Sequence, residues 1–315
     1  MDWTNQEKRY HTYNTYLRNT FGKKVFKVPL NAHFTCPNKD GSKGTGGCIY
    51  CSPSGSGDFA GNVKDDLQVQ FDAVKDKLHE KWPDAFYIAY FQANTNTYKP
   101  VDALKTLFEE SLTLDKNIVG LSISTRCDAL DETKVKMLSA LNQVTHLQVE
   151  LGLQSIHPKT SKYINRGHDL KCFDDAVTLL RQYNIDVVVH IINGFPIETK
   201  NDMLETLKHI NTLDIQGIKI HMLHVMKQTP LGYQFELKPF KLLTLEEYVD
   251  IVVTQLEHLN PSVIVHRLTG DSPSDLLLAP DWITKKFVVL NEIDKLMRKR
   301  NTYQGIASIA QKNTD

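Results

Sequence analysis

The chain has 315 residues, 41% hydrophobic and 23% charged, and its 37 Lys and Arg balance its 37 Asp and Glu for a formal net charge of zero. This is too apolar for a disordered chain and too poor in Gly (16) and Pro (12) for a fibrous one, and it removes any bulk electrostatic argument for nucleic acid while leaving room for a local patch. Five cysteines are too sparse for a disulfide scaffold, and an odd number cannot all pair internally.

In chain order, hydrophobic periodicity predicts a strand over 25–28 and a helix over 67–82, apolar at Leu67, Val69, Phe71, Val74, Leu78 and Trp82. A strand over 86–90 and a helix over 101–114 follow, then a strand over 118–123 and a helix over 131–141. Next come strand 146–151 with helix 170–183, strand 186–192 with helix 201–213, and strand 217–222 with helix 244–259. Thr244 with Glu247 three residues on is a capping box. A strand over 263–266 and a helix over 282–300 close the series. Strands alternating with helices define βαβ units and a mostly parallel sheet. Six or seven such units suit a full or partial parallel barrel. No composition shift divides the chain, so the expectation is a core over 22–270, an N-terminal arm over 1–21 and a C-terminal helical extension over 271–315. No apolar signal core opens it, and no run approaches the roughly 20 residues that span a bilayer, so a cytoplasmic location without membrane attachment is expected.

Cys36, Cys48 and Cys51 fall within one glycine-rich loop after the first strand. In a reduced compartment such thiols suit a metal better than a disulfide. Zinc prefers four ligands, and His33 could complete the set. An iron–sulfur cluster held by three cysteines instead leaves one iron open to a substrate or cofactor. The trio alone leaves both open. A parallel barrel puts its active site at the strands' C-terminal ends. Polar residues collect there: Gln92 to Thr97, Arg126 to Asp128, Glu150 to Ser155, His190 to Glu198, Lys219 with His221 and His224, and His266 to Asp271.

On these residues the chain resembles the radical S-adenosylmethionine (SAM) superfamily. Cys48-Ile-Tyr-Cys51 is the superfamily's C-x-aromatic-C ending, although the first gap, Cys36 to Cys48, is eleven residues long instead of three. Long first gaps with Cys36-Pro37 are similar to those of the elongator-catalytic-subunit-like branch. So are Val149-Glu-Leu-Gly-Leu-Gln-Ser155, Asn165-Arg-Gly-His168 and Gly194-Phe-Pro-Ile-Glu198. Phe91-Gln-Ala-Asn-Thr-Asn-Thr-Tyr98 resembles the YhcC/YtqA-type subgroup.

The resemblance implies an α/β fold, a parallel (βα)6-type partial TIM barrel with an additional C-terminal strand and helix. It implies a 4Fe-4S cluster on Cys36, Cys48 and Cys51, with SAM on the open iron. One electron from the cluster then breaks a C–S bond to give methionine and a 5′-deoxyadenosyl radical. It further implies cofactor contacts from Gln92 and Asn94 (methionine amino group), Glu150 (ribose), Gln154 and Ser155 (nucleoside), Arg166 (carboxylate) and Gly194 (adenine). The residues themselves admit plainer roles: turn formation at Gln92 and Asn94, an internal salt bridge at Glu150, a solvated loop arginine at Arg166. Arg126, Cys127, His190, His221 and Arg267 are candidates for the substrate side, against core histidines and an inert buried thiol; Cys172 is expected to be structural.

The branch implies tRNA as partner, with remodelling of the C5 side chain of the wobble uridine from carboxymethylaminomethyl to aminomethyl, and an electron donor such as flavodoxin or ferredoxin. Basic clusters at Lys23–Lys27 and Lys285–Arg300, with Tyr10, Tyr13 and Tyr16, could meet phosphates and bases. Two other readings stand beside it: a radical SAM oxidoreductase on a small metabolite, and a non-enzymatic zinc-stabilised binding protein.

Overall fold

The computed structural model describes residues 7–55 and 57–307, so residues 1–6 of the arm and 308–315 of the extension lie outside the described residues. After α1 (Tyr13–Phe21) the chain alternates: β1 (Val25–Leu30), α2 (Leu67–His79), β2 (Phe86–Phe91), α3 (Val101–Thr113), β3 (Ile118–Thr125), α4 (Glu132–Asn142) and β4 (His146–Gln154). It continues through α5 (Pro158–Tyr163), α6 (Leu170–Gln182), β5 (Asp186–Asn193), α7 (Lys200–Ile210) and β6 (Gly217–Met222). Then come β7 (Val225–Met226), α8 (Pro230–Leu237), α9 (Leu245–His258), β8 (Ile264–Arg267), β9 (Leu277–Ala279) and α10 (Lys286–Lys299). One seven-stranded sheet has the order β1-β2-β3-β4-β5-β6-β8, and β7 pairs antiparallel with β9.

The chain packs as two compact units. Of the described residues, the first comprises 17–152 and 166–188; the second, 7–16, 153–165 and 189–307. In the first unit β1, β2, β3 and β4 pair in parallel, and Val28, Leu30, Ile88, Phe91, Leu121, Ile123 and Val149 are buried. Strands covered on both faces read as nearly continuous apolar runs, which is why periodicity located them. Asp66, Asp131 and Asp169 cap α2, α4 and α6 by accepting a backbone N–H. In the second unit β6 pairs in parallel with β8, and Thr244 and Glu247 form the expected reciprocal cap of α9. Residues 11 and 12 run beside β8: Val265 N donates to His11 O at 2.7 Å, and Tyr13 stacks on His266 with ring centroids 3.8 Å apart. The arm thus covers a strand edge.

Several elements differ from the periodicity reading. The expected 282–300 helix is a 3-10 turn, Asp281–Thr284, followed by α10. The elements α1, α5, α8, β7 and β9 are additional. They are too short to complete an amphipathic pattern; Pro158 and Pro230 at the first turns of α5 and α8 were their local signal.

His146, at the start of β4, sits edge-on to Phe21, and burial and then the Lys27 charge push its imidazole down to about 4 from 6.5. Its neutral form therefore supports the fold above pH 6.5, and that support is lost as pH falls from 6.5 towards 4. A shift of this size corresponds to up to about 3 kcal/mol. Urea midpoints should fall more steeply across that window in wild type than in His146→Asn; parallel curves would contradict this origin.

Candidate functional site

The cysteine loop is a set of tight turns. Cys36 O accepts from the backbone N–H groups of Lys39 and Asp40, Gly47 N donates to Asn38 O at 2.8 Å, and Cys51 N donates to Cys48 O at 3.0 Å. Asn38, fully buried, is its hub: its Nδ2 lies 3.7 Å from Cys48 Sγ. Two glycines make room for it. A Cβ at Gly44 would come within 2.3 Å of Asn38 Oδ1, and one at Gly167 within 2.5 Å.

Among the described residues, only His157, Asp202 and Glu205 form a group of three ligand atoms all within 4.8 Å, so the three loop sulfurs are spread wider than that. Tetrahedral zinc with ~2.3 Å bonds would bring its thiolates about 3.8 Å apart. A four-iron cube, with each thiolate on its own iron, takes the wider spread. His33 is exposed and does not complete a closed site. Burial and then the neighbouring Cys51 push the Cys48 thiol up to about 11, while the Arg126 charge opposes the rise. Metal ligation is what favours the thiolate in such surroundings.

The stretch after β2 packs against this loop. Asn94 N donates to Gly55 O at 2.9 Å, and Thr95 N to Thr35 O at 3.2 Å. Asn94 has a positive φ of 61°, and a Cβ on Gly55 would strike its side chain, so Asn94 is a turn residue; Gln92 is half-buried at the strand end. Thr95 and Asn96, one and two positions on, are buried, and their Oγ1 and Oδ1 atoms have no hydrogen-bond partner. The Asn96 orientation is set, because its Nδ2 donates to Phe91 O and Ser124 O. Two orphaned acceptors in the cysteine-bearing unit fit a cationic donor such as the amino group of SAM.

Arg166 is 2% exposed, so it is not a solvated loop arginine. Burial lowers its pKa, against the opposing charges of Tyr50, Cys127 and Cys48. Its carbonyl accepts from Arg126 Nη1 at 2.8 Å, and Arg126 also grips Asp128 with Nε and Nη2 at 2.9 and 2.7 Å. Arg126 therefore props the loop that carries Arg166. Cys127 is buried, with its Sγ 3.1 Å from that of Cys172. Glu150 takes the internal salt bridge. Its Oε1 receives Lys27 Nζ at 2.5 Å and Ser122 Oγ at 2.9 Å; its Oε2 receives Tyr90 OH at 2.9 Å and Ser124 Oγ at 3.2 Å.

In the second unit, Gln154 ends β4 with a positive φ of 66° and a buried Oε1 that has no partner. Ser155 Oγ donates to Glu198, which also accepts from Thr160 Oγ1 at 2.6 Å, so Ser155 anchors the Gly194–Glu198 turn. Gly194 holds φ 104°, and a Cβ there would meet Leu243 at 3.1 Å. His190 and His221 lie with ring centroids 5.5 Å apart, and His221 Nε2 is buried without a partner. Burial first, then His190, Arg267, Lys219 and His224, hold the His221 imidazole well below its usual pKa, so it is neutral. Arg267 pairs with Asp271, which also binds Lys286.

Sequence reasoning missed Asn38, placed Thr95, Asn96 and Glu198 only within wider polar stretches, and read Lys27 as part of a basic cluster for phosphates, whereas it is paired with Glu150. Glycines at 44 and 167 were the available signal for Asn38, and a lysine within the apolar run Val25-Phe-Lys-Val28 was the signal for a buried ion pair.

The chain belongs to the radical SAM superfamily: the model described as "Radical SAM superfamily" matches residues 41–210, and that for the "Radical_SAM C-terminal domain" matches 215–299. The first match includes Cys48 and Cys51; Cys36 precedes it. Within the family the chain is 50% identical over 303 residues to the uncharacterized protein YtqA of Bacillus subtilis (strain 168), covering 96% of this chain and 94% of that one. A shorter match, 26% identical over 163 residues, reaches the tRNA uridine(34) acetyltransferase of Methanocaldococcus infernus, covering 51% of this chain and 30% of that protein. Among solved structures, the fold is similar to that of Methanocaldococcus infernus Elp3, with a TM-score of 0.67 at 18% identity, over 89% of this chain and 64% of that one. The fold is thus the α/β partial TIM barrel of this superfamily, and the protein is an enzyme whose cofactors are a 4Fe-4S cluster and SAM. The zinc-stabilised binding protein is overturned by this family membership. No helix among the described residues is long and apolar enough to cross a membrane.

Proposed function

We propose that Cys36, Cys48 and Cys51 hold the cluster, that Arg166 receives the SAM carboxylate, and that Thr95 and Asn96 receive its amino group. The wide three-thiol loop in the unit that also buries Arg166 carries this reading. When bound, the cluster supplies the electron that splits SAM into methionine and a 5′-deoxyadenosyl radical. The chain's own residues bind and orient. A guanidinium receives a carboxylate as a planar fork, and burial excludes competing water. Arg126 fixes the Arg166 backbone, and Asn38 sets the position of Cys48. Gln154, whose orphaned Oε1 can only accept, is our candidate for receiving an N–H or O–H of the nucleoside.

For the substrate, we propose the wobble uridine of tRNA, its C5 side chain taken from carboxymethylaminomethyl to aminomethyl, with His190, His221 and Arg267 on the substrate side and a flavodoxin or ferredoxin as donor. Support comes from the match to a tRNA uridine(34) acetyltransferase. The nucleosides of tRNA from cells with and without the gene test it: loss of one wobble modification is expected, and unchanged nucleosides sink it. A small-metabolite substrate is the second reading, favoured by one observation. Much of the basic C-terminal helix is internally paired: Arg300 with Asp250 and Glu257, Lys286 with Asp271, Lys295 with Glu292. Tight, salt-dependent tRNA binding separates the two.

A further inference from the structure

The two cysteines outside the loop come together. Cys127 opens the 3-10 turn Cys127–Ala129 after β3 and is 3% exposed. Cys172 lies in the first turn of α6, where its backbone N–H bonds the capping Asp169 at 2.8 Å, and it is half-buried between the exposed positions Lys171 and Asp169 and the turn beneath. The residues are 45 apart in sequence, yet their sulfurs are 3.1 Å apart and both are free thiols. A covalent bond of ~2.05 Å requires a closure of only about 1 Å. One thiol is reachable from solvent and its neighbour is sheltered, the asymmetry that thiol–disulfide exchange needs: the outer sulfur attacks, and the inner one resolves. The same turn and helix start flank Arg126 and Arg166, which are joined by a 2.8 Å hydrogen bond.

We propose that Cys127 and Cys172 form a second redox site, a dithiol that exchanges with low-molecular-weight disulfides. Cys172, its proton lost to solvent, attacks one sulfur of the disulfide; the new S–S bond joins Cys172 to half of the reagent, and the other half leaves as thiolate. Cys127 then attacks the Cys172 sulfur, gives its proton to a departing thiolate, and expels the second half. The two cysteines lose two electrons, the reagent gains them, and the products are one internal disulfide and two small thiols. The bridge ties the 127–129 turn to the α6 N-terminus, and excess thiol reverses it. This site is independent of the substrate and of the cluster assignment.

The test uses cluster-bearing protein incubated anaerobically with glutathione disulfide, then alkylated, weighed intact and mapped by peptide mass spectrometry. Expected is a mass lower by two hydrogens before alkylation and by two alkyl groups after it relative to untreated protein, one cross-link between the peptides carrying Cys127 and Cys172, and recovery with dithiothreitol. Cys127→Ser should stop at a glutathione adduct on Cys172, whereas Cys172→Ser should leave Cys127 unmodified. Full alkylation of both residues in wild type, a stable unresolved adduct on Cys172, or oxidation confined to Cys36, Cys48 and Cys51 would each overturn the proposal.

Discussion

Cys48→Ala should lose its iron and sulfide, from about four of each per chain to background, and with them all reductive cleavage of SAM. Cys48 is the most telling of the three positions. It receives Asn38 Nδ2, burial with Cys51 and Cys36 raises its thiol, and the Arg126 charge works against that rise, so it is the thiol that most needs a metal to hold it as thiolate. Removing a ligand from a three-thiolate set cannot be compensated locally, because the remaining free cysteines, Cys127 and Cys172, are placed against each other. Iron and sulfide analysis after anaerobic reconstitution, with 5′-deoxyadenosine as the product readout, checks it. A variant that kept its full iron content would show that the cluster is held elsewhere. Asn38→Ala should keep the ligands but loosen the loop, giving a cluster lost faster than in wild type.

The second large effect concerns stability. Lys27→Met should destabilise the fold by about 3 kcal/mol, because a carboxylate buried in the sheet interior loses its closest cation. The Glu150 side chain has no exposed surface, and the hydroxyl donors of Ser122, Ser124 and Tyr90 stay with it, which keeps the expected loss at the lower end of the range. Adding Glu150→Gln should recover most of it, since an amide in that position leaves no buried charge. Urea denaturation of the two variants measures both steps. A Lys27→Met midpoint equal to wild type would mean that Lys27 is not the cation that offsets Glu150.

The parts of this molecule legible in the sequence are those whose cause is local. Apolar runs buried on both faces marked the sheet, Thr244 with Glu247 marked the start of α9, and three thiols in a glycine-rich loop marked a candidate metal site, with the choice of cluster and SAM left to the superfamily resemblance. What stayed hidden depends on residues far apart in the chain. Lys27 and Glu150 are 123 positions apart and meet only because β1 to β4 stack in parallel register. Arg126 read as a free substrate-side cation because nothing in its neighbourhood shows that the 166 carbonyl will come to it. Asn94 carried the more conspicuous turn chemistry, but the orphaned acceptors belong to Thr95 and Asn96. The tyrosines of the arm looked available for bases; Tyr10 is buried and Tyr13 lies on His266.

The strand-edge contact of residues 11 and 12 has a bearing on synthesis. Gln304, fully buried, accepts from His11 N at 2.8 Å and donates to Val263 O at 2.8 Å, while its own N–H reaches Arg9 O at 2.9 Å. The earliest described residues are therefore locked by a residue nearly 300 positions further on. On a ribosome, the residues of the unit 17–152 and 166–188 are all made early, whereas residues 7–16 must wait until position 304 has emerged. Released chains truncated before Gln304 should keep the first unit's parallel strands but leave the edge of β8 uncovered, a surface on which nascent copies can pair with one another.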